Sequence, residues 1–346
     1  MLRLYVGSVG IMIKQPGRIM NIASAIKIQI AIPAVDAICI PAQGRGANCY
    51  PQSRGAPPCV STREYPVLSV VQLRKKFGGK VAIDSVDFTI TEGEFVGLLG
   101  SNGAGKTTII KSLAGLIKPT GGVISYYAKE FFTNPRESKR QIGVVPQNSN
   151  LDRDLTAYEN LYLHTLLHDI PRREREPKIE EALEFAGLTE YAYKQIKNFS
   201  GGMKRRLVIV RAMLHNPKIL FLDEPTVGLD VQIRRDLWNL ILKVNQQKKT
   251  AILLTTHYIE EAEKLCHRVM VIDSGAIVAN DTPEQLKSKL GRYVLEVFTE
   301  NGITESYFDA KQKALDALGN HTHECKIRKV TLEDVIISRT GRRIHA

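Results

Sequence analysis

Residues 94–111 read Glu94-Phe95-Val96-Gly97-Leu98-Leu99-Gly100-Ser101-Asn102-Gly103-Ala104-Gly105-Lys106-Thr107-Thr108-Ile109-Ile110-Lys111. An apolar run of strand length ends at Gly100, and beyond Lys106 the residues Thr107 to Ile117 have a helical pattern. Between them, Gly100 to Thr107 fits G-x-x-x-x-G-K-[ST], a pattern that carries a mechanism when a strand precedes it and a helix follows. Both conditions are met. Glycines let successive backbone N–H groups turn toward one anion, and the helix start adds the positive end of its dipole. Lys106 can then reach the outer phosphates of a nucleotide, and the Thr107 hydroxyl can ligate Mg²⁺.

Downstream, Ile219-Leu220-Phe221-Leu222-Asp223-Glu224 is an apolar strand that delivers two carboxylates to its C-terminal edge, the edge where doubly wound sheets bind ligands. Asp223 is expected on Mg²⁺, and Glu224 beside it can polarise water. Further apolar runs, AILLTTH at 251–257 and VMVID at 269–273, are separated by helical patterns such as Leu237, Ile241 and Val244. Strands alternating with helices predict an α/β fold with a mainly parallel sheet. Upstream, LSVVQL and VDFTI lie on either side of Gly78-Gly79 and predict a small antiparallel β subdomain. Residues 152–215 have an almost wholly helical pattern and form a helical insertion. After Leu290, the runs YVLEVF and AKQKALDAL predict a small C-terminal appendage. The expected fold is therefore a P-loop NTPase core at 67–288 with a C-terminal appendage at 289–346.

The composition suits such a fold. Hydrophobic residues make up 43% of the 346 and charged residues 24%, which excludes a low-hydrophobicity disordered chain. The longest apolar stretch, Ile22 to Ile40, is broken by Lys27, Gln29, Pro33 and Asp36, so the chain is not expected to cross a membrane. The net charge of +12 suits nucleic acid, an anionic membrane face or a phosphorylated ligand; residues 1–66 hold +5 of it and the remainder is only mildly basic. Five cysteines without a C-x-x-C pair indicate neither a disulfide framework nor a cysteine zinc site, and point to a reducing compartment. Residues 1–66 are expected to be a poorly ordered N-terminal extension, with Pro and Gly dense between Pro41 and Pro58. The apolar run at 4–13 has the length of a signal-peptide core, but Lys14 follows at once and the cleavage pattern is poor, so an upstream extension from a misassigned start is the expected reading.

A second glycine turn gives the pattern its family. Asn198-Phe199-Ser200-Gly201-Gly202-Met203-Lys204-Arg205-Arg206 places Ser-Gly-Gly directly before an amphipathic helix, about 20 residues ahead of the Asp-Glu strand. At this point the sequence resembles the ATP-binding subunits of ABC transporters. The turn resembles their signature motif, with Phe199 and Met203 where Leu and Gln are commonest, and with Ser200, Gly201 and Gly202 intact. The other family elements follow in the family's order over residues 67 to about 285. Phe77 resembles the aromatic that stacks on adenine, its alternative being a plain core Phe. Gln147 resembles the glutamine that joins the core to the helical insertion and reaches Mg²⁺ or the attacking water. Asp230, in Val227-Gly228-Leu229-Asp230, resembles the D-loop aspartate, and would otherwise be an N-cap. His257 resembles the switch histidine that contacts the γ-phosphate, and would otherwise be a structural strand-end histidine. The tail, Thr331-Leu332-Glu333-Asp334-Val335 with Thr340-Gly341-Arg342, resembles exporter ATPases of the daunorubicin-resistance and nodulation-factor export type.

The resemblance implies an ATP hydrolase that uses ATP and Mg²⁺. Two copies would sandwich two nucleotides, each held by one chain's Gly100, Ser101, Asn102, Gly103, Ala104, Gly105, Lys106, Thr107 and Thr108 and the other's Ser200, Gly201 and Gly202. Thr107, Gln147 and Asp223 would form the Mg²⁺ shell, and Glu224 would be the general base, oriented with His257. It further implies a homodimer joined through the ATP sites, docked on a separate membrane permease, cytoplasmic and peripheral on the inner face of the cell membrane. The competing class is a soluble ABC-type ATPase acting on nucleic acid or ribosomes. One cassette, the absence of a heptad run and acids interleaved with the basic residues at 172–176 argue against it, so no nucleic-acid partner is expected. A nucleotide-binding module without turnover would have no need of Glu224. The cargo belongs to the permease and is not written in this chain.

Overall fold

The computed structural model describes residues 66–300, 302–319 and 323–341, together with strands at 3–7, 10–15 and 18–21. The chain divides into two compact units, Met1–Val60 and Ser61–Ala346. In the first, β1 (Arg3–Gly7), β2 (Gly10–Gln15) and β3 (Arg18–Asn21) pair as an antiparallel meander. The rest of 1–65, with Cys39, Cys49, Cys59 and the expectation of poor order there, lies outside the described residues.

The second unit is built on a six-stranded sheet. Its strands are β6 (Phe95–Leu99), β9 (Ile142–Val145), β10 (Ile219–Asp223), β11 (Ala251–Thr256), β12 (Arg268–Asp273) and β13 (Ala276–Asp281), in the order β13-β12-β6-β11-β10-β9. All neighbours are parallel except the β12–β13 hairpin at one edge. The apolar runs are continuous because both faces are covered. Along β10, Leu220 and Leu222 enter one core with the helices, while Ile219 and Phe221 enter a second core on the opposite face; Ile252 and Leu254 against Ala251 and Leu253 repeat this alternation along β11. Gly97 is the point of closest approach in β6: a Cβ there would lie 2.7 Å from Cys266 Sγ.

The second core is closed by α1 (Lys106–Leu113) and by a four-stranded antiparallel sheet. That sheet pairs β4 (Leu68–Phe77) with β5 (Lys80–Ile90) and with β7 (Gly121–Tyr126), and β7 with β8 (Lys129–Glu130). The β4–β5 turn is Gly78-Gly79, with Gly78 at φ 55, a conformation glycine adopts without strain. The short helix α2 (Pro135–Arg140) leads into β9.

The first core belongs to the helical insertion and the helices that follow it. The insertion comprises α3 (Ala157–Leu167), α4 (Arg172–Phe185) and α5 (Gly201–Met213), joined by two short 3₁₀ turns. Thr156 and Glu159 form a reciprocal capping box that fixes where α3 begins. Helix α6 (Val231–Lys248) places Leu237, Ile241 and Val244 in this core, and α7 (Ile259–Leu265) and α8 (Pro283–Leu290) complete the main body.

Beyond it, β14 (Tyr293–Thr299) is the centre of a three-stranded antiparallel sheet with β15 (Gly302–Phe308) and β16 (Glu324–Lys329), crossed by α9 (Lys311–Leu318). The chain then returns: α10 (Leu332–Thr340) sends Leu332, Val335 and Ile336 into the same core as Leu286. Its tail motif is a capping box, Thr331 with Asp334. Burial raises the cost of charge on Asp334, but a bidentate grip by Arg328, at 2.6 and 2.8 Å, prevails and holds that carboxyl below the usual range.

Candidate nucleotide site

The phosphate loop bridges β6 and α1. Gly103 and Gly105 have φ 83 and 110, so the loop needs residues without Cβ strain, and Gly105 is the N-cap of α1 without a side-chain cap. Close packing fixes the rest: a Cβ on Gly100 would lie 2.4 Å from Ile272 O, and one on Gly105 2.7 Å from Ala82 O. Lys106 is 4% exposed, with Nζ donating to Gly100 O at 2.8 Å and Ser101 O at 3.1 Å. Ser101, Asn102, Gly103 and Ala104 complete the loop, and Thr108 continues the first turn of α1, its carbonyl accepting from Ser112 Oγ at 2.8 Å.

The carboxylates sit against this loop, as the order of the parallel strands requires. Asp223 ends β10, and its Oδ1 accepts from Thr107 Oγ1 at 3.1 Å and Thr255 Oγ1 at 2.7 Å. Glu224 follows with φ 47, an unfavourable backbone state for a residue with a side chain. Its N–H donates to both Thr255 O and Thr255 Oγ1, each at 3.1 Å, which holds that conformation. Three side chains meet the Glu224 carboxylate: Lys106 Nζ lies 3.2 Å from Oε1, while His257 Nδ1 and Gln147 Nε2 each lie 3.4 Å from Oε2. The structure thus brings Lys106, Thr107, Gln147, Asp223, Glu224 and His257 together in one connected set. The cradle is shaped for close backbone approach, and Thr107 and Asp223 offer the hard oxygen donors that Mg²⁺ prefers.

Two residues in this network had no role assigned from sequence. Arg205, on α5, is 6% exposed and donates to five main-chain carbonyls: Pro146 and Gln147 on one segment, Asp223, Glu224 and Pro225 on the other. Burial pulls its guanidinium pKa down to about 10, still charged at neutral pH. Glu261, on α7, is fully buried; its Oε1 accepts from Trp238 Nε1 at 2.9 Å and Thr226 Oγ1 at 3.0 Å, and burial pushes its pKa above the ordinary carboxylate value. No sequence signal separates Glu261 from its neighbours Glu260 and Glu263.

The remaining predicted residues stand apart from this set. Ser200 is the N-cap of α5, accepts from Met203 N at 3.2 Å and is exposed. Gly201 is exposed, with Leu229 behind it, and Gly202 packs on Ile233, whose Cγ2 would lie 2.6 Å from an added Cβ. Asp230 is exposed and caps α6 by accepting from Ile233 N at 2.9 Å. Phe77 is 48% exposed at the end of β4, with Lys75 Nζ 4.9 Å from its ring centre, so the core-residue alternative is removed.

Comparison with known proteins agrees with this geometry. A family profile described as "ABC transporter" matches residues 83–227. The chain is 42% identical over 228 residues to the Nod factor export ATP-binding protein I of Burkholderia thailandensis, covering 66% of this chain and 75% of that protein. Its fold is similar to that of cbiO1 from Clostridium perfringens, part of the ABC transporter complex cbiONQ, with a TM-score of 0.60 and 26% identity over 64% of this chain and 91% of that one. It is also similar to the ATP-binding cassette MJ0796 in a dimeric post-hydrolysis state bound to ADP and Pi, with a TM-score of 0.56 and 28% identity over 62% and 98% of the two chains. With the phosphate loop, the Asp-Glu strand and the Ser-Gly-Gly turn in one fold, the chain belongs to the ABC transporter family as one of its ATP-binding, ATP-hydrolysing subunits.

Proposed function

We propose that Glu224 is the general base of ATP hydrolysis in this subunit, and that hydrolysis powers export of a substrate through a separate membrane permease. One observation carries the assignment: the Glu224 carboxylate lies within 3.4 Å of Lys106, Gln147 and His257, directly after Asp223. Phosphoryl transfer demands positioning and charge neutralisation more than covalent chemistry. The loop amides from Gly100 to Thr108 and the Lys106 ammonium hold the β- and γ-phosphates. Glu224 accepts the proton of the attacking water as the bond from the γ-phosphorus to the bridging oxygen breaks and ADP leaves. His257 and Gln147 fix the direction of that carboxylate. Bound Mg²⁺ supplies further neutralisation of phosphate charge, and Thr107, Asp223 and Gln147 are the residues that would hold it.

Ser200, Gly201 and Asp230 are exposed, which suits contact with a second copy's nucleotide and fits a homodimer joined through its ATP sites, while Gly202 is buried against Ile233 in the same turn. Phe77 is available to stack on adenine. Among the described residues no helix is long and apolar enough to cross a membrane. The likeness to ATP-binding subunits of ABC transporters supports a permease in a separate chain, on which this subunit docks at the inner face of the cell membrane. The Nod factor exporter relative supports the direction of transport. The test is Glu224→Gln, which keeps shape and hydrogen bonding but cannot take the proton. Turnover should fall by roughly 10² to 10⁴, while ATP should drive a stable dimer on a sizing column. Near-normal turnover in this variant would remove Glu224 from the role.

A further inference from the structure

A cluster outside the ATP site has metal-ligand chemistry. His164 and His168 lie one turn apart at the end of α3, and His215 follows α5, at the turn into β10. One ring nitrogen from each lies within 4.8 Å of the other two. His168 and His215 stack with ring centres 3.8 Å apart, and the His164 ring centre is 4.5 Å from that of His168. The nitrogens have different work. His215 Nε2 is held by Ile142 O at 2.9 Å, so it is a donor, and the other nitrogen, Nδ1, carries a lone pair. That Nδ1 and His164 Nε2 are both buried without a hydrogen-bond partner. Buried polar atoms are ordinarily paired, and two unpaired nitrogens on rings whose centres lie 6.0 Å apart, with the His168 ring beside both, call for a ligand.

We propose that His164, His168 and His215 form a binding site for a divalent transition-metal ion of the zinc class, held by three neutral imidazoles with a fourth position open to water. An i, i+4 histidine pair on a helix presents two rings to one ion, and a third from another element gives the three-nitrogen set such ions accept. Ile142 O orients His215 as a carbonyl commonly orients a ligand histidine. Burial holds His164 and His215 well below the usual histidine pKa, His215 at about 4, so they are neutral donors. At Zn–N of about 2.0–2.1 Å the nitrogens must close inward, and one ring of the stacked pair must turn so that both lone pairs meet at one point. The charges nearby set the affinity. Arg211 and Lys178 act on the cluster, and Arg140 is paired with Asp169 at 3.4 Å, which itself lies beside His168. Arg211 and Lys178 disfavour a divalent cation here, so binding should be weaker than in a site without cations beside it. Bound there, the ion would tie the end of α3 to the turn joining α5 to β10.

The experiment is Zn²⁺ titration of the metal-stripped full chain against a chromophoric chelator, without nucleotide and with excess Mg²⁺ to occupy the oxygen site at Thr107 and Asp223. Expected are one ion per chain, a weakening of at least about tenfold in His168→Gln and in His215→Gln, and no change in His323→Gln, which lies outside the cluster. Co²⁺ should give the visible absorption of a four-coordinate nitrogen site, lost in the same variants. Circular dichroism verifies that each variant is folded, and His168→Gln, at the least buried of the three positions, is the variant least dependent on packing. Absence of binding at micromolar Zn²⁺, or binding that survives His168→Gln in the folded protein, would overturn the site and leave a packed imidazole stack.

Discussion

The phosphate-loop edge and the signature turn use the same device, a glycine-rich helix start, yet they are finished differently. At Gly100 to Thr107 the loop is buried against Ile272 and Ala82, its lysine is held by two carbonyls and Glu224, and its threonine reaches Asp223. At Ser200 to Gly202 the hydroxyl caps its own helix and faces solvent. One site half is assembled within the chain; the other is displayed outward. On the proposed reading, chemistry belongs to the first half and contact with a second nucleotide to the second.

Mixing two defective proteins should break or sharpen this contrast most strongly. Lys106→Ala and Ser200→Arg should each be nearly inactive, because each homodimer has one damaged half in both sites. In a mixture, half of the dimers combine an intact loop with an intact turn in one of two sites, so ATPase activity should return to about a quarter of wild type under random pairing. Flat activity at all mixing ratios, with exchange verified by differently tagged chains, would mean that the turn serves its own loop.

Next in size is Arg205→Met. It leaves five carbonyls around two catalytic segments without their donor. Because the bonds share one guanidinium and freed carbonyls can take up water, the cost is nearer that of one charge-assisted bond than the sum of five, so a loss on the order of 3 kcal/mol in stability and a lower kcat are expected. Denaturant unfolding and ATPase kinetics check both. An unchanged midpoint with unchanged kcat would show that the Gln147 and Glu224 segments keep their places unaided.

The smallest effect concerns Glu261. Its folded pKa is raised above 4.5, chiefly by burial, so its favourable contribution is present at low pH and lost as pH rises through the raised value. Glu261→Gln keeps the acceptor for Trp238 and Thr226 without the charge. Its melting temperature should exceed that of wild type by a few degrees near pH 8, with the gain shrinking toward pH 4.5. A variant less stable than wild type at about pH 8 would show that the charged form is the one the site favours.

How much of this was legible depended on whether a feature is contiguous. The phosphate loop, the Asp-Glu strand and the strand-helix alternation are written in adjacent residues, and the described β6, β10, β11 and β12 fall where the apolar runs place them. Arg205 was hidden because its partners lie 18 to 59 positions away along the chain, and carbonyl acceptors have no residue signature. Glu261 is one of three glutamates at 260–263, and only the packing of α7 beside Trp238 makes it a buried acid. The histidine cluster was half visible, as an i, i+4 pair; His215 joins it only through the fold. The tail motif was visible as a likeness, and the structure gives its physical content as a helix cap that returns apolar residues to the main core.

Ser200 caps the start of helix α5, and Arg205 follows little more than one turn later. On the reading that Ser200 meets the neighbouring chain's nucleotide, this single rigid rod touches one nucleotide with its tip and holds the catalytic strand of the other site by its side. A tilt of the rod at one nucleotide moves the carbonyls behind Glu224 at the other. The two sites of a dimer are then geared to one another, and their rates should depend on each other's occupancy, so that ATP-dependence departs from a simple hyperbola through a guanidinium that touches neither nucleotide.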